Sequence, residues 1–146
     1  MNPIATIIAS LSLFCGSLFI QDSPEVPNAV KHVFARNFDV PSGVTWKTTK
    51  SGYEVDFSLA DVAHSARYNP NGELLMVKMA LNEQDLPPVI RQRIIDDFRQ
   101  FEIADIDQIK VADRLLIQIV LRGLSEDRKV VFNSDGEIDS TFPFWN

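Results

Sequence analysis

Acid pairs, two histidines, one cysteine and one acid-rich glycine turn are the side chains in this sequence whose types could do chemistry. Asp96-Asp97 and the run Glu102, Asp105, Asp107 could serve glycoside cleavage only if two carboxyls faced each other at a fixed distance across a cleft. Neither group has a histidine beside it, and a solvated acidic face is the plainer reading. Asn133-Ser134-Asp135-Gly136-Glu137 looks like the start of a calcium loop, but that loop would need an acid at position 131 and a Glu at 142. Val131 and Phe142 stand there, and the corresponding positions of a similar earlier turn hold Arg67 and Lys78, so both segments read as turns. Nucleophilic catalysis needs a Ser, Cys or Thr beside a positioned base. There is no G-x-S-x-G and the only cysteine is Cys15. His32 falls at a polar position next to Lys31, and His64 shares parity with Val62, Ala66 and Tyr68, which points to the rim of the sheet. The expectation is a protein without catalytic, metal-binding or cofactor-binding residues, and so a non-enzyme, with an acid-pair hydrolase as the remote alternative.

Binding residues are easier to name. Phe142-Pro143-Phe144-Trp145 is dense in aromatics, which anchor interfaces because they bury much area for little entropy. Two readings stay open: a partner surface formed by Phe142, Phe144 and Trp145, or a last strand whose rings pack on its own sheet. Pro143 places the segment at an edge or an end, since it cannot donate to a ladder. Glu54, Asp56 and Arg67 complete the candidate partner surface. They lie, with Ser58, Ser65, Gln118, Arg122 and Lys129, on the strand parity opposite the apolar set. Such a mixed-charge sheet face suits a protein or peptide, and equally suits solvent. Trp46, beside Val44, reads as core packing.

The elements that must carry these residues come in two copies. Val26, Val30, Val33, Phe34 and Phe38 form one apolar helical stripe, with Pro27 suited to the first turn. Leu86, Ile90, Ile94 and Phe98 repeat it sixty positions later, with Pro87 matching Pro27. Tyr53-Glu54-Val55-Asp56-Phe57-Ser58-Leu59 alternates as a half-buried strand does, and its counterpart is Leu115 to Leu121, with Leu115, Ile117, Ile119 and Leu121 inward. Ala66 to Leu74 matches Val130 to Ile138 at an offset of 64. Asn71-Gly72 and Asp135-Gly136 within them signal type I′ hairpins, which need positive φ at both central residues. Short strands around Val44-Thr45-Trp46 and Gln108 to Val111 complete each unit, and Ala80 to Asp85 links the two. The expected fold class is α+β: two tandem helix-plus-antiparallel-strand repeats, about 26–79 and 86–146, joined into one continuous antiparallel sheet with both helices on one face.

The chain has 146 residues, 45% hydrophobic and 23% charged, which fits one globular domain. The net charge of -6, with 14 scattered basic residues against 20 acids, argues against nucleic acid, whose phosphates demand clustered Lys and Arg. From Ile4 to Ile20 there is no charge and the run is mostly apolar, which reads as a secretory signal peptide over residues 1–20 preceding a domain over 21–146. Cleavage after Ser17 and cleavage near Gln21 are both open, as is an uncleaved anchor. Phe14 before Cys15 speaks against a lipid-carrying cysteine. The expected location is periplasmic or secreted, with no membrane contact once the signal is removed.

Val26-Pro27, Val44 and Trp46, Tyr53, Val55 and Phe57, Ala66, Tyr68 and Gly72, then Leu86-Pro87 and Asp135-Gly136, taken in order, resemble the PepSY-like family of periplasmic proteins, related in fold to β-lactamase-inhibitor proteins. The likeness runs from about Val26 to Ile138 and rests on order and duplication rather than on any single motif. It implies an α+β fold, export and no established activity. Its wider relatives imply that such a module binds or restrains another protein. The resulting expectation is an exported non-catalytic binding module for a protein or peptide partner in the cell envelope, the alternative being a periplasmic small-ligand sensor or carrier.

Overall fold

The computed structural model describes residues 25–146, so the apolar run Ile4–Ile20 and Cys15 lie outside the described residues. Helix α1 (Asn28–Asn37) is followed by strands β1 (Ser42–Thr49), β2 (Gly52–Leu59), β3 (Val62–Tyr68) and β4 (Leu74–Ala80). A 3-10 turn at Glu83–Asp85 leads to α2 (Pro88–Asp97), then β5 (Glu102–Val111), β6 (Arg114–Arg122) and β7 (Arg128–Phe132). The seven strands form one antiparallel sheet in the order β1-β2-β3-β4-β5-β6-β7, so every strand pairs with its sequence neighbour. The fold is α+β, and among the described residues no helix is long and apolar enough to cross a membrane.

Both helices start the same way. Pro27 and Pro87 sit at the N-cap, where a missing N–H costs nothing. The Pro27 carbonyl accepts from Val30 and Lys31, and the Pro87 carbonyl from Ile90 and Arg91. Each helix buries one stripe. Val30 and Phe34 of α1, with Val26, pack against Val55, Phe57, Ala66 and Tyr68 of β2 and β3. The Phe34 ring meets Phe57 edge-on at 5.0 Å and Trp46 edge-on at 5.4 Å, which packs the partly buried Trp46 against the core. Ile90 and Ile94 of α2, with Leu86, pack against Ile106, Ile117, Ile119, Leu121 and Phe132. Each such side chain contributes roughly 1.5–3 kcal/mol of burial. Leu115, expected inward, is half exposed instead.

The turns after β3 and β7 differ from the expected type I′. Only Gly72 (φ 85) and Gly136 (φ 80) take positive φ there. Asn69 and Asn133 build each turn: the side-chain Oδ1 accepts from the backbone N–H groups two and four residues on, and the carbonyl accepts from the glycine N–H. That is a three-residue loop with glycine in the left-handed position. The type I′ signature occurs elsewhere, at Ala60 (φ 47) and Asp61 (φ 65) between β2 and β3.

A fourth strand forms after the first of these turns and not after the second. Where β4 runs for seven residues, the later segment makes one bridge, Phe132 to Ile138, and one further backbone bond, from Asp139 N–H to the Val131 carbonyl. Asp139 then diverts the chain, its Oδ1 accepting from the Thr141 N–H and hydroxyl and from the Phe142 N–H. Pro143 could not have continued a ladder in any case.

Candidate functional site

Strand residues alternate between faces, and the residues that skip the helix-packed positions make a second surface. Lys47, Glu54, Asp56, Ser65, Arg67, Lys78, Asp107 and Gln118 share it, as their cross-strand partners show: Lys47 opposite Glu54, Glu54 opposite Arg67, Asp56 opposite Ser65, Asp107 opposite Gln118. Ile109, Leu116 and Val131 stand on the same side, in the second half of the sheet. After Asp139 the chain crosses this side. Phe142 and Phe144 pack on Ile109, Leu116 and Val131, and Trp145 reaches the middle of the sheet, 2% exposed.

Trp145 is held through every polar group it has. Its backbone N–H donates to Gln118 Oε1 at 3.0 Å, and its carbonyl accepts from Gln118 Nε2 at 2.9 Å. One side-chain amide thus pairs with one residue's backbone as a neighbouring strand would. The indole N–H donates to Glu54 Oε2 at 3.1 Å. The Arg67 guanidinium lies 4.3 Å from the ring centroid and the Lys78 ammonium 5.2 Å, both within cation–π range. Lys78 also donates to the Trp145 carbonyl at 3.3 Å.

The surrounding charges satisfy one another. Glu54 Oε2 accepts from Arg67 Nε at 2.6 Å, and Lys47 stands 4.0 Å from its other oxygen. Gln118 Nε2 also donates to Asp107 Oδ2 at 2.8 Å, and Lys78 lies 3.8 Å from that oxygen. Burial pushes the Asp107 carboxyl above its ordinary value, only partly offset by Gln118 and Lys78. Asp56 is also partly desolvated, yet hydrogen bonds from Lys47 and Ser65 outweigh that and hold its carboxyl below the ordinary value. Lys47 in turn is raised by its hydrogen bond to Asp56.

Of the six residues singled out from sequence, the fold brings Glu54, Arg67 and Trp145 into direct contact, with Phe142 and Phe144 beside them and Asp56 one pair along the same strands. Trp145 is spent on its own sheet. Asp56 and Lys47 remain exposed at 38% and 56% of their side chains, next to the buried cluster. Lys78 and Asp107 join the site without having been singled out for it; their signal was only their parity on β4 and β5. Gln118 carried the same parity signal and is the central residue.

The other chemically capable residues stay apart. His64 Nδ1 lies 2.8 Å from the Val62 carbonyl, with its ring stacked 5.4 Å from Phe57, and His32 is exposed on α1. Asp97 pairs with Arg93 one helical turn away, and of the acidic run only Asp107 is buried. Among the described residues no three acids, histidines or cysteines gather as metal ligands would.

No protein-family model matches the chain, and no curated protein aligns with it. Solved structures do. A Bacteroides eggerthii protein provisionally assigned to the periplasm superposes with a TM-score of 0.74 at 14% identity, over 78% of this chain and 86% of that one. A DUF2874 family protein from Bacteroides uniformis gives 0.73 at 14% identity over 78% and 86%. A BLIP-like protein from Bacteroides fragilis gives 0.70 at 12% identity over 83% and 93%. The chain shares their fold.

Proposed function

We propose that this chain is an exported, non-catalytic binding module of the PepSY-like kind, acting in the periplasm on a protein or peptide partner. The observation that carries the reading is the face beside Trp145. There Lys47, Asp56 and Arg67 stand partly exposed on three adjacent strands, Asp56 fixed by Lys47 and Ser65 and Arg67 by Glu54. A charged surface already locked in one arrangement loses little entropy on docking, which is what a recognition face needs. The likeness in fold to a BLIP-like protein and to a protein provisionally placed in the periplasm supports the same reading. So does the apolar run Ile4–Ile20, read as a signal peptide.

The architecture in this reading is two repeats sharing one sheet. α1 and α2 begin sixty residues apart, and the two Asn-built turns lie 64 apart with the same hydrogen bonds. Helix-packed residues of β2 and of β6 both alternate with residues of the Trp145 side, so both helices cover the face opposite it. That leaves one face for binding.

The test is a photo-crosslinking residue at position 47 in the native host's envelope, with adducts identified by mass spectrometry. The expected result is a recurrent adduct that a Asp56→Lys, Arg67→Glu variant loses and that a crosslinker at His32 never forms. Equal labelling from both positions would end the proposal.

A further inference from the structure

We infer that the face around Gln118 is a peptide site for a tryptophan-bearing extended segment of a partner protein, and that Phe142–Trp145 is its resident occupant. The inference rests on the binding-module reading and goes further by naming what is bound. The site belongs to the sheet and not to the tail. Glu54, Arg67, Lys78, Asp107 and Gln118 come from five successive strands, each fixed by its own ladder. The tail, by contrast, is joined to the sheet around Trp145 by side chains: Gln118 and Lys78 hold its backbone and Glu54 its indole. It can leave without breaking a strand pair.

The chemistry of the occupant is readable from the contacts. Gln118 offers one donor and one acceptor to a backbone N–H and carbonyl on the same residue, which only an extended segment presents side by side. Glu54 demands an N–H donor at the edge of a flat ring, and Arg67 and Lys78 demand a π-face. Tryptophan meets all three, because its indole carries both the donor and the strongest cation–π surface. Emptied, the site would leave Glu54 without its indole donor and Gln118 without its two backbone partners, so it favours refilling over standing open. The chain's own tail competes at the high effective concentration of a tethered ligand, so a partner binds weakly until the tail is displaced.

The test uses the full chain and a fluorescein-labelled peptide, Thr-Phe-Pro-Phe-Trp-Asn, read by anisotropy. The Trp145→Ala chain is expected to bind it saturably and at least tenfold tighter than the unsubstituted chain. Adding Gln118→Ala, or replacing the peptide's tryptophan by alanine, should abolish that binding. If Trp145→Ala gains nothing, or binds the alanine peptide equally, the inference falls. A second measurement needs no substitution at the site. Excess unlabelled peptide should shift the Trp145 indole N–H resonance of the unsubstituted chain away from its hydrogen-bonded position, and an unmoved resonance would overturn the inference. Failure here with position-47 adducts intact removes only the peptide site; peptide binding without adducts removes the envelope partner instead.

Discussion

Glu54 shows how much one carboxylate can organise. One of its oxygens takes Arg67 and the Trp145 indole together, and while the ring is docked the residue is 7% exposed and nearly shut off from water. Removing the ring therefore costs more than its area. Trp145→Ala should destabilise the fold by about 3 kcal/mol, at the low end for a buried aromatic because the tail can release and admit water. Trp145→Phe should cost less, and urea titration separates the two. The two titrating neighbours work in opposite directions. Asp107 is raised in the fold, so its ionisation opposes folding, and stability falls as pH climbs from about 4, the unfolded value, through its folded value. Asp107→Asn should remove that fall. Asp56 is lowered, so it adds stability above about pH 4 that is lost as pH drops through its folded value, and Asp56→Asn should flatten the acid limb. Thermal melts across pH check both signs. From sequence, alternation placed Glu54, Arg67 and Gln118 on one face, because parity is a local property. It could not place Trp145 over them, since that depends on the path of a tail no ladder dictates.

At the level of elements, stripes and prolines located both helices to within two residues, because a helix face repeats along the chain. Turn chemistry was less legible. Asn71-Gly72 and Asp135-Gly136 made hairpins through the asparagine two residues before each pair, whose side chain supplies what a second positive φ would have. Ala60 and Asp61 adopted the left-handed turn with no glycine to advertise it, driven by the pairing of Leu59 with Val62. That strain is removable: Ala60→Asn with Asp61→Gly should raise stability by about 1 kcal/mol, visible as a higher urea midpoint with unchanged slope. The two turn glycines should differ. Alanine at either suffers positive φ, but at Gly136 its methyl would also lie 2.8 Å from Val89 Cγ2, against 3.7 Å from Val30 at Gly72. Gly136→Ala should therefore lower the melting temperature further than Gly72→Ala. The absent eighth strand follows from Asp139 and Pro143, two residues whose effect overrides the repeat.

Across the whole molecule, the sheet runs in chain order, so each strand pairs with the strand made before it, with only the β4–β5 pairing spanning a helix. The contact between Trp145 and Glu54 is of another kind, joining residues 91 apart and bridging strands from both halves. Local pairing can proceed from the first hairpin onward, whereas this tether closes a large loop and gains only once β2 and β6 already lie in one sheet. The tail is therefore expected to dock after the rate-limiting barrier and to act as a bolt on the finished structure. Stopped-flow measurements should find refolding of Trp145→Ala nearly as fast as that of the unsubstituted chain, with the lost stability appearing almost entirely as faster unfolding. A protein built this way sets its assembly speed with its hairpins and its lifetime with its last few residues.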